Sequence, residues 1–287
     1  MSDKNTFFHQ KSTLNVRGRL LDLSSPQVMG IVNITPDSFY DGGETLSIDK
    51  AVEQTGRMLD EGATFIDLGA YSSRPNAIHI SPEEEIERLI PALKALIKEY
   101  PEAIISIDTF RAAVARAAVD AGAHIINDIS GGEMDDDMFK TAADLKVPYI
   151  LMHMKGTPQT MVSESQYTDI FDEVFQYFVT RIHALKQLGV IDIILDPGFG
   201  FAKTADQSLE LLGKMDQFKL LELPVLAGMS RKSMISKTLN TTTDLALNGT
   251  TVANTIALLK GAKILRVHDV KAAMEAITIV EKTIARG

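Results

Sequence analysis

The chain has no cysteine among its 287 residues, so disulfide frameworks, thiolate metal sites and thiol nucleophiles drop out together. That absence fits a reducing compartment, and a cytoplasmic location is the expectation. A basic surplus is missing too: 29 Lys+Arg stand against 38 Asp+Glu, a formal charge of -9. Nucleic acids and anionic membranes recruit net basic faces, so the expected partners are small molecules, with no nucleic acid and no membrane. No apolar run approaches the roughly 20 residues that span a bilayer. The start, "MSDKNTFFHQKSTLNVRG", has neither the apolar segment nor the small-residue cleavage site of a signal peptide, and a soluble, unprocessed protein is expected. There is no Pro/Gly/Ser-rich linker or low-complexity stretch to divide the chain. H-E-x-x-H, an EF-hand loop and the G-x-S-x-G elbow are also lacking, which argues against structural zinc, EF-type calcium and a Ser-His-Asp hydrolase.

What is present is ordinary globular usage, 45% hydrophobic and 23% charged, with a repeated alternation. Eight short β-rich runs recur, "VMGIVN", "FIDLG", "IISID", "IIND", "YILMH", "IILD", "VLAG" and "ILRVH". Between them lie helical stripes such as Val52, Thr55, Met58 and Leu59, or Ile86, Leu89, Ile90 and Leu93. Ser81, Pro82 and Glu84 read as an N-cap, a first-turn proline and the far end of a capping box. Gly62, Gly122, Gly189 and Gly261 read as left-handed helix ends just before a strand. Eight βα units without a G-x-G-x-x-G turn predict a single α/β domain, a (β/α)8 TIM barrel over 28–287. Residues 1–27 form an N-terminal extension, read as a hairpin closing the barrel bottom.

A barrel of this kind gathers chemistry at the C-terminal ends of its strands. The runs end in Asn33, Asp108, Asn127 with Asp128, His153, Asp196, and Arg266 with His268, and "MSRKS" follows the seventh. Any one of these also reads as a helix cap, but caps alone do not explain carboxylates, amides and cations on one rim. Asp108 and Asp196 accept, Asn127 does both and Lys232 donates, a set suited to a flat heterocycle bearing an amino group, ring N–H donors and a carbonyl. Ser73, Arg74, Arg266 and His268 have no carboxylate partner in their local sequence and suit a phosphate or diphosphate. Arg266 and His268 are two apart, so one strand aims both the same way. Asn33 and a diphosphate suffice to share a Mg2+, which keeps most of its waters. His153, flanked by methionines, reads as a pocket-wall or satisfied core histidine.

The blocks "MGIVNITPDSFYDGG", "DLGAYSSRPNA", "ISIDTFRAAVARAAVDAGAHIINDISGG", "LMHMKGTPQTM", "ILDPGFGFAKT", "LPVLAGMSRKSMI" and "GAKILRVHDV" resemble, in order and in register from Val28 to Val270, the signature blocks of dihydropteroate synthase. The resemblance implies a barrel enzyme of folate biosynthesis. Such a transferase condenses (7,8-dihydropterin-6-yl)methyl diphosphate with 4-aminobenzoate to give 7,8-dihydropteroate and diphosphate, is a target of sulfonamides, and is a homodimer. It implies that Asp108, Asn127, Asp196 and Lys232 hold the pterin, Asn33 the Mg2+, and Ser73, Arg266 and His268 the diphosphate. Arg74 stays in the motif, Phe201, Lys232, Ser233 and Pro75 border the aminobenzoate slot, and Asp41 lies near the developing cation, although Asp41-Gly42-Gly43 by itself reads as a turn. Tyr71 and Asn76 depart from the family's usual glutamate and glycine, and Tyr40 and Ala202 are smaller departures. Two other readings stand beside the synthase: a pterin-binding methyltransferase on a similar barrel, disfavoured by cations suited to a diphosphate, and a non-catalytic pterin-binding paralogue suggested by Tyr71.

Overall fold

The computed structural model describes residues 11–34, 43–71, 79–161 and 163–285. Eight parallel strands form one sheet in the order β8-β7-β6-β5-β4-β3-β10-β9. They are β3 (Gln27–Asn33), β4 (Phe65–Gly69), β5 (Ile104–Asp108), β6 (Ile125–Asp128), β7 (Tyr149–Met152), β8 (Ile193–Asp196), β9 (Leu226–Ala227) and β10 (Ile264–Val267). The ends of that order meet: Leu195 bridges Val225 in parallel, and the Leu195 N–H donates to Pro224 O at 2.9 Å. The sheet is therefore nearly closed into a barrel at this bridge. Helices α1 (Gly43–Asp60), α2 (Pro82–Glu99), α3 (Ala112–Asp120), α4 (Met138–Leu145), α5 (Ile170–Gln187), α6 (Ala205–Gly213), α7 (Ser233–Thr238), α8 (Leu247–Leu259) and α9 (Val270–Ile284) pack around it.

Strand parity divides the side chains. Outward residues such as Ile66, Leu68, Ile105, Ile107 and Leu195 are fully buried against helix stripes that include Leu89, Leu93, Val114 and Phe178. Each such side chain contributes roughly 1.5–3 kcal/mol of burial. The first inward residues, among them Met29, Phe65, Ile104, Ile150, Ile194 and Ile264, form a separate apolar layer at the barrel's lower end. The segment before β3 folds as an antiparallel hairpin, β1 (Thr13–Val16) with β2 (Arg19–Asp22). It drives Leu14, Val16 and Leu23 into that layer, and Arg17 donates to Val119 O at 2.8 Å at the end of α3. The floor of the barrel is thus apolar and shut.

Several local expectations need correction. Helix α1 starts at Gly43. At α2, the Ser81 side chain accepts from the Glu84 N–H at 3.2 Å, but the Glu84 carboxylate turns to Arg88 one turn on; a nearby guanidinium outcompetes the neutral N-cap amide. The complete capping box is at α6, between Thr204 and Gln207. Gly62, Gly122, Gly189 and Gly261 do take positive φ, from +89° to +122°. The α9 stripe through Ile277 and Val280 packs on its own barrel. Asp128 faces outward, away from the rim: Tyr149 Oη donates to it at 2.6 Å, and Ser130 and Gly132 amides close a turn on it.

Candidate active site

At the C-terminal ends of the strands the barrel opens into a cavity of about 830 Å³. Its polar wall brings together Asn33, Asp108, Asn127, Asp196, Ser230, Lys232, Ser233, Arg266 and His268, and its apolar wall Ile31, Ile129, Met152, Met161 and Phe201. Inward parity at the last turns of β3, β5, β6, β8 and β10 supplies most of the first group; tight turns after β8 and β9 supply Phe201 and "SRKS".

Arg266 stands at the centre. Its Nε donates to Asp67 Oδ2 at 2.6 Å and its Nη2 to Asp108 Oδ2 at 2.7 Å. Arg266 has no carboxylate partner in its local sequence, but two arrive from β4 and β5, far off along the chain. Burial works against the guanidinium charge, but Asp67 and Asp108 outweigh it and hold the Arg266 pKa above its usual value. Asp67 also accepts from Asn127 Nδ2 at 2.9 Å. Because a carboxylate only accepts, this bond settles the amide orientation. Asn127 therefore presents Oδ1, an acceptor, on its other side.

The remaining groups are tuned by burial. Asp108 is pushed up to about 7, burial being the main cause, with Arg266 pulling it down and Asp67 pushing it further up. Asp196 is raised by burial despite Lys232 and despite the Gly198 N–H that donates to its Oδ1 at 2.8 Å. Asp108 Oδ1 and Asp196 Oδ2 make no hydrogen bond among the described residues, so three acceptors converge on the cavity with Asn127 Oδ1. Lys232 is lowered to about 8 by burial against the pull of Asp196. Its Nζ donates to Phe199 O at 2.7 Å and lies 4.5 Å from the centroid of the Phe201 ring. His268 is lowered to about 4, by burial and then by Arg266, and so is neutral at neutral pH. Ser230 Oγ accepts the His268 backbone N–H at 3.1 Å and lies 3.0 Å from Nδ1. With that hydroxyl donating to Nδ1, Nε2–H is a neutral donor for a ligand oxygen.

Residues 29–268 match the family described as pterin binding enzyme. The chain is 44% identical over 274 residues to the dihydropteroate synthase of Escherichia coli (strain K12), covering 95% of this chain and 96% of that one. The chain belongs to the pterin-binding enzyme family, among the dihydropteroate synthases. A Synechocystis dihydropteroate synthase is 45% identical over 257 residues, covering 88% of this chain and 89% of the relative. Among solved structures, the Yersinia pestis dihydropteroate synthase in a sulfonamide drug complex superposes with a TM-score of 0.89 at 41% identity, over 95% of this chain and 99% of that one. The Xanthomonas albilineans dihydropteroate synthase in complex with 7,8-dihydropteroate gives 0.86 at 37% identity, with 95% and 99% covered.

Of the residues singled out from the sequence, the cavity brings together Asn33, Asp108, Asn127, Asp196, Phe201, Lys232, Ser233, Arg266 and His268. Asp41, Ser73, Arg74 and Pro75, with Tyr40 and Asn76, lie outside the described residues. Tyr71 is on the cavity wall, where its hydroxyl meets His79 Nδ1 at 3.2 Å and accepts from Gln159 at 3.0 Å. His153 is not on this wall; it is 2% exposed and bound to Lys203.

Sequence reasoning passed over Asp67, Arg231 and Ser230. The signal for Asp67 was there, a carboxylate at inward parity inside the apolar run "FIDLG", but attention to strand ends hides a residue one step deeper. Arg231 takes φ +53° and forks onto both Asp269 oxygens at 2.8 and 2.9 Å, pinning the turn that aims Lys232 inward.

Proposed function

We infer that the protein is a dihydropteroate synthase, condensing (7,8-dihydropterin-6-yl)methyl diphosphate with 4-aminobenzoate to give 7,8-dihydropteroate and diphosphate. The observation that carries this is a single cavity that gathers the acceptors Asp108, Asn127 and Asp196 with the donors Lys232, Arg266 and His268. The amino group and ring N–H of the pterin match Asp108, Asn127 and Asp196, and its carbonyl matches Lys232. Burial makes these bonds count, because a buried polar group without a partner costs roughly 1–3 kcal/mol.

The chemistry asked of the site is charge stabilisation. The electron-rich ring supports positive charge at its exocyclic methylene, so the C–O bond breaks with its electron pair leaving on the diphosphate. Asp108 and Asp196, by accepting from the ring, favour the cationic pterin. Arg266 offers its remaining guanidinium N–H groups and His268 its Nε2–H to the departing oxygens, in a site already organised by Asp67 and Ser230. The aminobenzoate nitrogen then attacks the methylene carbon and loses a proton. Phe201, Ser233 and the Lys232 stem border the slot that holds it in line.

A Mg2+ is part of the proposal. Among the described residues the Asn33 side chain makes no hydrogen bond, and its Oδ1 lies over Gly69, where a Cβ would come within 3.3 Å. A free amide oxygen at the mouth suits an ion that takes few protein ligands and shares the diphosphate oxygens. When bound, the ion would neutralise leaving-group charge beside Arg266. No cluster of three or more His, Cys, Asp or Glu among the described residues offers a full protein cage. Purified protein given the pterin diphosphate, 4-aminobenzoate and Mg2+ should release diphosphate only when aminobenzoate is present, and chelation should lower the rate at least about tenfold. Release independent of aminobenzoate would refute the synthase reading, and indifference to chelation the metal.

A homodimer is also proposed. Val252, Ile256 and Leu259 recur along one face of α8 at 53%, 39% and 59% exposure, and Ile279 of α9, which packs beside it, is 66% exposed. Apolar residues at this spacing on solvent are unusual unless a partner covers them. Sedimentation at micromolar concentration should give twice the 31.4 kDa of one chain; a single-chain mass there would remove the dimer. No helix among the described residues is long and apolar enough to cross a membrane, and a cytoplasmic location belongs to the same proposal.

A further inference from the structure

The turn after β8 is wound around one ammonium group. Lys203 is 7% exposed. Its Nζ donates to Gly198 O and Phe201 O at 3.0 Å and to His153 O at 3.2 Å, and lies 2.9 Å from His153 Nδ1. Positive φ at Gly198, Gly200 and Ala202 (+67°, +78° and +48°) curls the turn so that the Gly198 and Phe201 carbonyls meet at one point. The winding is close: a Cβ at Gly198 would lie 2.1 Å from His153 O. Burial drives the Lys203 pKa well below its ordinary value, and no carboxylate forms an ion pair with it among the described residues.

So costly a group is hard to justify as packing alone, since a methionine would fill the same space without a buried polar amine to satisfy. The two phenylalanines of this turn both reach Lys232: Phe199 O accepts from its Nζ, and the Phe201 ring lies against it. Lys203 does not line the cavity, but Phe201 does.

We propose that Lys203 is a positioning residue for the aminobenzoate slot: by gathering the carbonyls of Gly198 and Phe201 onto the end of β7, it holds the Phe201 ring in place. This rests on the synthase reading above. It separates the two substrates, since Asp108 and Asn127, on β5 and β6, do not depend on this turn.

The test compares wild type, Lys203→Met, Phe201→Ala and the double variant. Turnover by wild type establishes the synthase reading first, so the variants then judge only the positioning role. Lys203→Met should raise KM for 4-aminobenzoate about tenfold or more, with the Kd for the pterin diphosphate, by calorimetry without aminobenzoate, changed less than about twofold. The double variant should be no worse than Phe201→Ala, because the lysine acts through that ring. An unchanged KM, equal losses for both substrates, or additive losses would overturn the proposal. Should Lys203→Met not fold, Lys203→Gln, which reaches fewer carbonyls, is read the same way.

Discussion

Arg266→Ala should lower kcat/KM for the pterin diphosphate about a thousandfold and the melting temperature with it. The catalytic loss follows from removing a preorganised cation from the leaving diphosphate, where one such donor supplies about 10²–10³ in rate. The stability loss has a separate origin. Asp67, with no exposure, and Asp108 both bond to this guanidinium, and removing one partner of a buried ion pair costs about 3–5 kcal/mol. Arg266→Lys distinguishes the two. A lysine keeps a charge between the carboxylates but not the fork that bonds both while leaving N–H groups for the ligand. It should therefore recover more of the melting temperature than of kcat/KM. Parallel recovery of both would mean that Arg266 serves the fold alone.

Asp108→Asn should lower kcat/KM about a hundredfold or more and flatten its pH profile. In the free enzyme the Asp108 carboxyl is pushed up to about 7, and kcat/KM reports free-enzyme ionisations. Protonated Asp108 no longer accepts from the ring, so wild-type kcat/KM should fall about tenfold per pH unit below 7. The variant should lack this limb, and persistence of the limb would assign it to another group. Stability runs the opposite way. The folded-state pKa lies above the unfolded value, so between about pH 4 and 7 the native state holds more protons than the unfolded chain. This group's contribution is therefore greatest below pH 4 and declines as pH rises through 7. Denaturant titrations of wild type and variant across that window should diverge as the pH increases.

Much of the fold is legible because it rests on local rules. Strand runs, helical stripes and the glycines before strands each report on a few neighbouring residues, and the structure follows them from β3 to β10. Parity alone foretold that Arg266 and His268 share a direction. The pairing of Arg266 with Asp67 was not legible, because the two are 199 residues apart and meet only when the barrel closes. The same holds for Lys203 and His153, brought together from the turns after neighbouring strands by carbonyl geometry that no side-chain pattern records. Where two partners compete, as when Glu84 prefers Arg88 to its own N-cap, sequence shows both options and energetics chooses. Burial, and then Arg266 beside it, favour the neutral form of His268.

The hairpin under the barrel has a kinetic meaning. With Leu14, Val16 and Leu23 filling the lower end, the described residues leave no back door, and on the proposed function both substrates and both products would use one doorway. Depth then sets the traffic order. On the proposed assignment, the ring that reaches Asp108 and Asn127 would enter ahead of the aminobenzoate bordered by Phe201, and would come out only after the diphosphate had cleared the way.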